Sequence, residues 1–160
     1  MFYCDHSQQD HLRRLLSHYQ LEIERIAQGS DIPGSFWGES EAGLIGNRLY
    51  VRSDTPVHSA LHEACHYICM DNTRRAKLHT DAAGDFAEES AVCFLQIVLA
   101  DQLPGIGAEN LIKDMDSWGY SFRLGSAKQW FENDAEDARS WLIQFDLIDP
   151  QGKPTWKVRK

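Results

Sequence analysis

The sequence predicts an α+β fold in which two apolar helices pack beside a small β-sheet. Three observations point there. Residues 56 to about 71 form a long apolar stretch behind a helix-start signal, and residues 85–102 form the most apolar segment of the chain. Between residues 21 and 52, polar and apolar residues alternate in short runs, which suits half-buried strands. With 160 residues the chain is expected to be one domain, long enough to bury a sizeable core. The expected core covers about residues 20–105, followed by a helical extension over 106–147 and a tail over 148–160.

The elements are read in order. From Ser7 to Tyr19, Leu12, Leu15, Leu16 and Tyr19 recur at helical spacing. Leu21-Glu22-Ile23-Glu24 then alternates as a strand running toward Ala27. Residues 29–43 hold Gly29, Pro33, Gly34, Gly38 and Gly43 around Phe36-Trp37, which marks a long loop. A second strand is predicted over Leu44–Arg52, with Leu49 and Val51 on one face. Thr55 is a candidate helix cap, and Pro56 suits a first helical position because its missing N–H has no partner to lose there. That helix is predicted from Pro56 to about Asp71. A polar link covers Asn72–Gly84, and a second buried helix covers Asp85–Gln102, stopped by Pro104-Gly105. A short helix near Ala108–Asp116, irregular aromatic chain over Trp118–Phe131, and a helix over about Asp134–Phe145 complete the chain. The basic tail (Lys153, Lys157, Arg159, Lys160) is expected to be frayed and solvated.

Composition narrows the function classes. Twenty-four acids against 16 bases give a formal charge of −8, which argues against nucleic acid or an anionic membrane surface as partner. No run of about 18 apolar residues is present, and Met1-Phe2-Tyr3-Cys4-Asp5-His6 lacks the pattern of a secretory signal. Four unevenly spread cysteines do not make a disulfide framework, so a reducing cytoplasm is the expected setting.

One constellation carries chemistry. His62-Glu63-Ala64-Cys65-His66 is an H-E-x-x-H motif on the first buried helix. Residues four apart on a helix share a face, roughly 6 Å apart, so both imidazoles can reach one metal ion. Glu63, rotated by roughly 100° from His62, sits beside such an ion rather than on it, within reach of a water there. The flanks Val57, Ala60, Leu61, Ala64, Tyr67 and Ile68 are apolar, and buried imidazoles beside a buried acid are hard to satisfy without an ion.

A third ligand is sought at the head of the second helix. Glu88 shares a stripe with Ala91, Leu95 and Val98 and should face inward; it is the first choice. Glu89, on the adjoining stripe with Val92, Cys93 and Gln96, is the alternative, and Asp85 stands behind both as an acid complementing the helix dipole. His58, one turn before His62, is a candidate pocket residue. Arg74-Arg75 are read either as a solvated helix end or as an anion-binding rim of the pocket. Cys69 lies roughly 10.5 Å along the axis from His62, too far to share its ion, so Cys65, Cys69 and Cys93 are read as buried packing residues. His79 and Asp81 lie within reach of the site from the link, whereas His6, His11 and His18 read as surface residues.

Two resemblances follow from these residues. The motif with Glu88-Glu89-Ser90-Ala91 in an E-x-x-A setting resembles the gluzincin metallopeptidases. Ser59-Ala60-Leu61-His62-Glu63-Ala64-Cys65-His66-Tyr67, followed by Arg74-Arg75, resembles the metal helix and trailing arginine pair of the bacterial elongation factor P hydroxylase family. Asn47-Arg48-Leu49, the segment from Arg25 to Gly29 and Phe86-Ala87-Glu88 are also similar, so the likeness covers about residues 20–100. It implies a zincin-like fold and a site of His62, His66 and Glu88, holding Fe2+, that hydroxylates a modified lysine on a translation factor. Ala64-Cys65 at the motif's variable positions and the region after Pro104 depart from that family. The rival expectations are a zinc-dependent hydrolase, with Zn2+ in the same ligands and Glu63 as general base, and a non-catalytic module that the ion merely pins together.

Overall fold

In the computed structural model, which describes residues 1–160, Asp5 starts the first helix by accepting a hydrogen bond from the Gln8 amide (2.9 Å). This helix, α1 (His6–Ser17), lays Leu12, Leu15 and Leu16 against the core. Strand β1 (Glu22–Ile26) runs parallel to β3 (Arg48–Arg52), and β2 (Gly43–Ile45) pairs antiparallel with β3, giving the order β1-β3-β2.

The single strand expected over residues 44–52 is thus two strands. Ile45 pairs with Arg48 across the two-residue turn Gly46-Asn47, and Gly46 supplies the left-handed first position at φ +57°. Leu49 and Val51 face the core as the alternation requires. The loop before β2 folds back on itself, Ser35 bridging to Gly43. A Cβ at Gly43 would run into the Pro33 carbonyl, so only glycine fits that crossing.

Helix α2 (Val57–Cys69) is buried at every residue except His62, which is half-buried. Its start differs from expectation. Pro56 occupies the cap position, and the Thr55 hydroxyl accepts from the Arg52 amide (3.0 Å) instead of capping the helix. The first free amide, that of Val57, donates to the Phe2 carbonyl (2.9 Å), so the N-terminal segment does the capping. The link after α2 contains a short helix, α3 (Asn72–Arg75). Helix α4 (Phe86–Ala100) is capped by Asp85, whose carboxylate accepts from the Glu88 amide (2.9 Å).

Helices α5 (Gly107–Trp118), α6 (Ala127–Asn133) and α7 (Glu136–Gln144) follow. Helix α6 falls in the stretch expected to be irregular. Ser126 caps it by accepting from the Gln129 amide (3.1 Å), and Ser126-Ala127-Lys128-Gln129 is the serine-to-glutamine spacing of a capping box. The tail is not frayed: Ile148 bridges to Pro154, Trp156 packs on His18 and Tyr19, and the Arg159 amide donates to the Ile68 carbonyl (2.9 Å).

The result is an α+β architecture of seven helices and one three-stranded sheet. A continuous core of 41 buried residues runs from Cys4 to Ile148, with α2 and α4 at its centre, so residues 106–148 belong to the same core. No helix is long and apolar enough to cross a membrane. All four cysteines are buried and free.

Candidate metal centre

The apolar face of α2 is buried on all sides, and the one polar edge it leaves open carries His62, Glu63 and His66. The Nε2 atoms of His62 and His66 lie 3.2 Å apart. The Glu89 carboxylate on α4 completes the group: one oxygen is 3.1 Å from His62 Nε2, the other 3.1 Å from His66 Nε2. Ligand atoms about 2.1 Å from one cation are separated from each other by roughly 3.0–3.4 Å in tetrahedral or octahedral arrays. The two imidazole nitrogens have that spacing, each has it to one Glu89 oxygen, and one ligand atom from each of the three residues lies within 4.8 Å of the others. Two imidazole lone pairs facing at this distance repel unless a proton or a cation lies between them, so the residues fit a divalent ion.

The group is supported from behind. His62 Nδ1 lies 2.8 Å from Gln96 Oε1, and the Gln96 amide nitrogen donates to the His58 carbonyl (3.1 Å). That second bond fixes which end of Gln96 is oxygen. His62 therefore carries its proton on Nδ1, donates to Gln96, and offers the Nε2 lone pair to the site. His66 Nδ1 is buried without a partner.

Burial opposes a charge on His62, yet contacts to Cys93 and Glu89 hold its imidazole well above the ordinary histidine range. Against its own burial, bonds from both imidazoles hold the Glu89 carboxyl far below the ordinary carboxylate range. Glu63 behaves differently: burial raises its carboxyl, only partly offset by His62 and His66.

Several expectations are corrected by these contacts. Glu88 faces inward as the stripe requires, but away from the imidazoles. Its carboxylate pairs with Arg74 and, at 3.0 Å, with Arg159. Gly84, at φ +107°, leaves the space that carboxylate occupies. Arg74, partly exposed, is thus engaged by Glu88 and does not line the cavity beside the imidazoles. Arg75 donates to the carbonyls of Tyr67 (2.9 Å), Ile68 (3.4 Å) and Met70, closing the end of α2. His58 does not line the pocket either. It is buried, its Nδ1 lies 3.1 Å from the Tyr120 hydroxyl, and its ring packs on Trp118 and Tyr120. Burial pushes His58 down to about 4 and Tyr120 up to about 12. Asp85 is the α4 cap, and His79 is exposed beside β2 with its Nδ1 on Thr80 Oγ1 (2.8 Å).

The three donors open into a cavity of about 230 Å³. Glu63 lines it with these donors, as do Phe36, Trp37 and residues 80–83, including Asp81. The aromatic pair comes from the long loop before β2, and Trp37 is 76% exposed, so a large apolar surface borders the donors. A larger depression of about 790 Å³ around Tyr19, Phe145 and Trp156 has no such convergence of ligands.

Gln96, Tyr120 and the Phe36-Trp37 wall were not singled out by the sequence as site residues. Gln96 had a signal, being a buried polar residue on the same stripe as Glu89. Tyr120 had none, since it arrives from beyond α5. No family model matches the chain, and no curated protein and no solved structure does either.

Proposed function

We propose that the chain is a mononuclear metalloenzyme of the H-E-x-x-H type with a zincin-like helix pair, in which His62, His66 and Glu89 hold one Zn2+ or Fe2+. The observation that carries this is the convergence of His62, His66 and Glu89, with the two Nε2 atoms 3.2 Å apart and each 3.1 Å from one carboxylate oxygen, at the mouth of a cavity that Glu63 also lines. An ion held by these residues would supply Lewis acidity toward water or a substrate oxygen.

The chemistry best matched by the chain's own residues is hydrolysis of an acyl bond, such as a peptide bond. The Glu63 carboxylate accepts the proton of the attacking water and returns it to the leaving nitrogen, the role suited to a carboxyl held above its ordinary range by burial. Gln96 keeps the His62 Nε2 lone pair aimed at the site. The Phe36-Trp37 wall and Asp81 seat the substrate and exclude water from one side of the cavity.

A second reading, an iron-dependent hydroxylase acting on a side chain of a translation factor, is favoured by the resemblance over residues 20–100. It uses the same two histidines and one carboxylate, with open positions suited to dioxygen chemistry. Metal analysis of protein purified without chelators separates the two. Stoichiometric zinc, with peptide cleavage abolished by Glu63→Gln and metal content retained, is the outcome expected of the hydrolase. Stoichiometric iron and no cleavage supports the hydroxylase, and no metal in either case overturns both.

A further inference from the structure

We propose that Arg159 is a positioning residue for the metal centre, a clamp from the C-terminal tail that sets the distance between the two helices bearing the ligands. The proposal rests on the metal-site reading above. Arg159 is anchored at three levels. Its amide donates to the Ile68 carbonyl (2.9 Å), its own carbonyl accepts from Arg75 (2.8 Å), and its guanidinium packs over the Phe145 ring at 4.1 Å. That guanidinium then bridges two places at once: the Cys69 carbonyl at the end of α2 (3.3 Å) and the Glu88 carboxylate in the first turn of α4 (3.0 Å).

Cys69 lies three residues after His66, and Glu88 directly precedes Glu89. One side chain therefore ties the end of the helix carrying both imidazoles to the start of the helix carrying the third ligand. The link between the end of α2 at Cys69 and the start of α4 at Phe86 contains only the short α3 as a named element, so covalent continuity alone does not fix that separation. Glu88 has only 3% of its side chain exposed, which makes the pairing directional and difficult for water to replace. A metal site requires its ligands within about 0.5 Å of their working positions, and outer partners that hold them there change affinity by roughly 10–100-fold.

The test uses the whole chain, stripped of metal, with Zn2+ affinity read by competition against a chelating dye and ligand geometry read from the visible absorption of the Co2+-saturated protein. Arg159→Ala is expected to weaken Zn2+ binding about tenfold and to shift the cobalt bands, with Arg159→Lys recovering part of both. A role confined to overall stability would leave the spectrum of the folded, cobalt-saturated protein unchanged. Arg159→Met keeps the packing over Phe145 while removing every donor, and it decides the matter if the alanine variant does not fold. Unaltered affinity and spectrum in Arg159→Met overturn the clamp alone. A wild-type protein that takes up neither ion overturns the metal reading, and the clamp with it.

Discussion

Glu88 and Glu89 are consecutive on α4, yet their carboxylates serve different parts of the molecule. Glu88 lies between the guanidinium groups of Arg74 and Arg159, and Glu89 bridges His62 and His66 at 3.1 Å each. One residue's rotation along the helix, roughly 100°, separates an ion-pair network from the imidazole cluster of the proposed metal site. The two alanine variants should therefore fail in different ways. Glu89→Ala should lose Zn2+ affinity by more than the roughly 10–100-fold typical of an outer partner, with little change in stability of the metal-free chain. Glu88→Ala leaves two cations facing a low-dielectric pocket and should cost on the order of 3 kcal/mol of folding stability. Dye competition and urea denaturation, run on both variants, check this; the opposite assignment of the two losses would return the ligand role to Glu88.

That pair also shows how far sequence pattern reaches. The stripe through Ala91, Leu95 and Val98 correctly marks Glu88 as inward-facing, but periodicity reports burial and not the partner. One of its two partners, Arg159, is 71 residues away in a tail whose basic composition suggested solvation. A ligand at an open site must border the cavity, and it is the half-exposed glutamate, Glu89 with 48% of its side chain accessible, that meets both imidazoles. The H-E-x-x-H spacing, both buried helices and the core faces of β1 and β3 were legible because each is local. The Gly46-Asn47 turn and the Ser126 cap were written in the sequence as well, in signals of two to four residues that longer periodic patterns overshadowed. His58 could not be assigned at all without Tyr120, which reaches it from 62 residues downstream.

Gln96 accepts from His62 Nδ1 at 2.8 Å and thereby selects the tautomer whose Nε2 lone pair faces the proposed metal site. Gln96→Leu should weaken Zn2+ binding roughly 10–100-fold, while Gln96→Glu, which preserves an acceptor at that position, should stay closer to wild type. Competition titrations of both variants check the order; equal losses would mean that the position is sensed through packing and not through the hydrogen bond.

Acid sensitivity should come in part from His58. Its folded pKa of about 4 lies below the ordinary value of about 6.5 in the unfolded chain, so folding favours the neutral ring. The sign is that of a depressed group: the contribution is fully present above about pH 6.5 and is lost as the pH falls toward 4. Between pH 7 and pH 5 the metal-free protein should lose about 2 kcal/mol more stability than His58→Gln does. His62 is shifted upward and contributes in the opposite sense, but it is common to both proteins and drops out of the difference. Urea denaturation at the two pH values measures it; identical pH responses would show that His58 takes up a proton in place.

Metal removal separates a catalytic centre from a structural pin. The 41-residue core is built from apolar side chains, and the His62, His66 and Glu89 group lies at its edge, with Glu89 half-exposed. Chelator-treated protein should therefore keep its near-UV circular dichroism and melt cooperatively. Restoring Zn2+ at about a hundred times its Kd should stabilise the fold by about 2.7 kcal/mol, which for a chain of this size raises Tm by roughly 5–10 °C. A module that the ion pins together behaves otherwise, because its binding energy is its folding energy. Loss of the near-UV signal on chelation, recovered only with metal, would assign the ion to structure and leave Glu63 without a catalytic task.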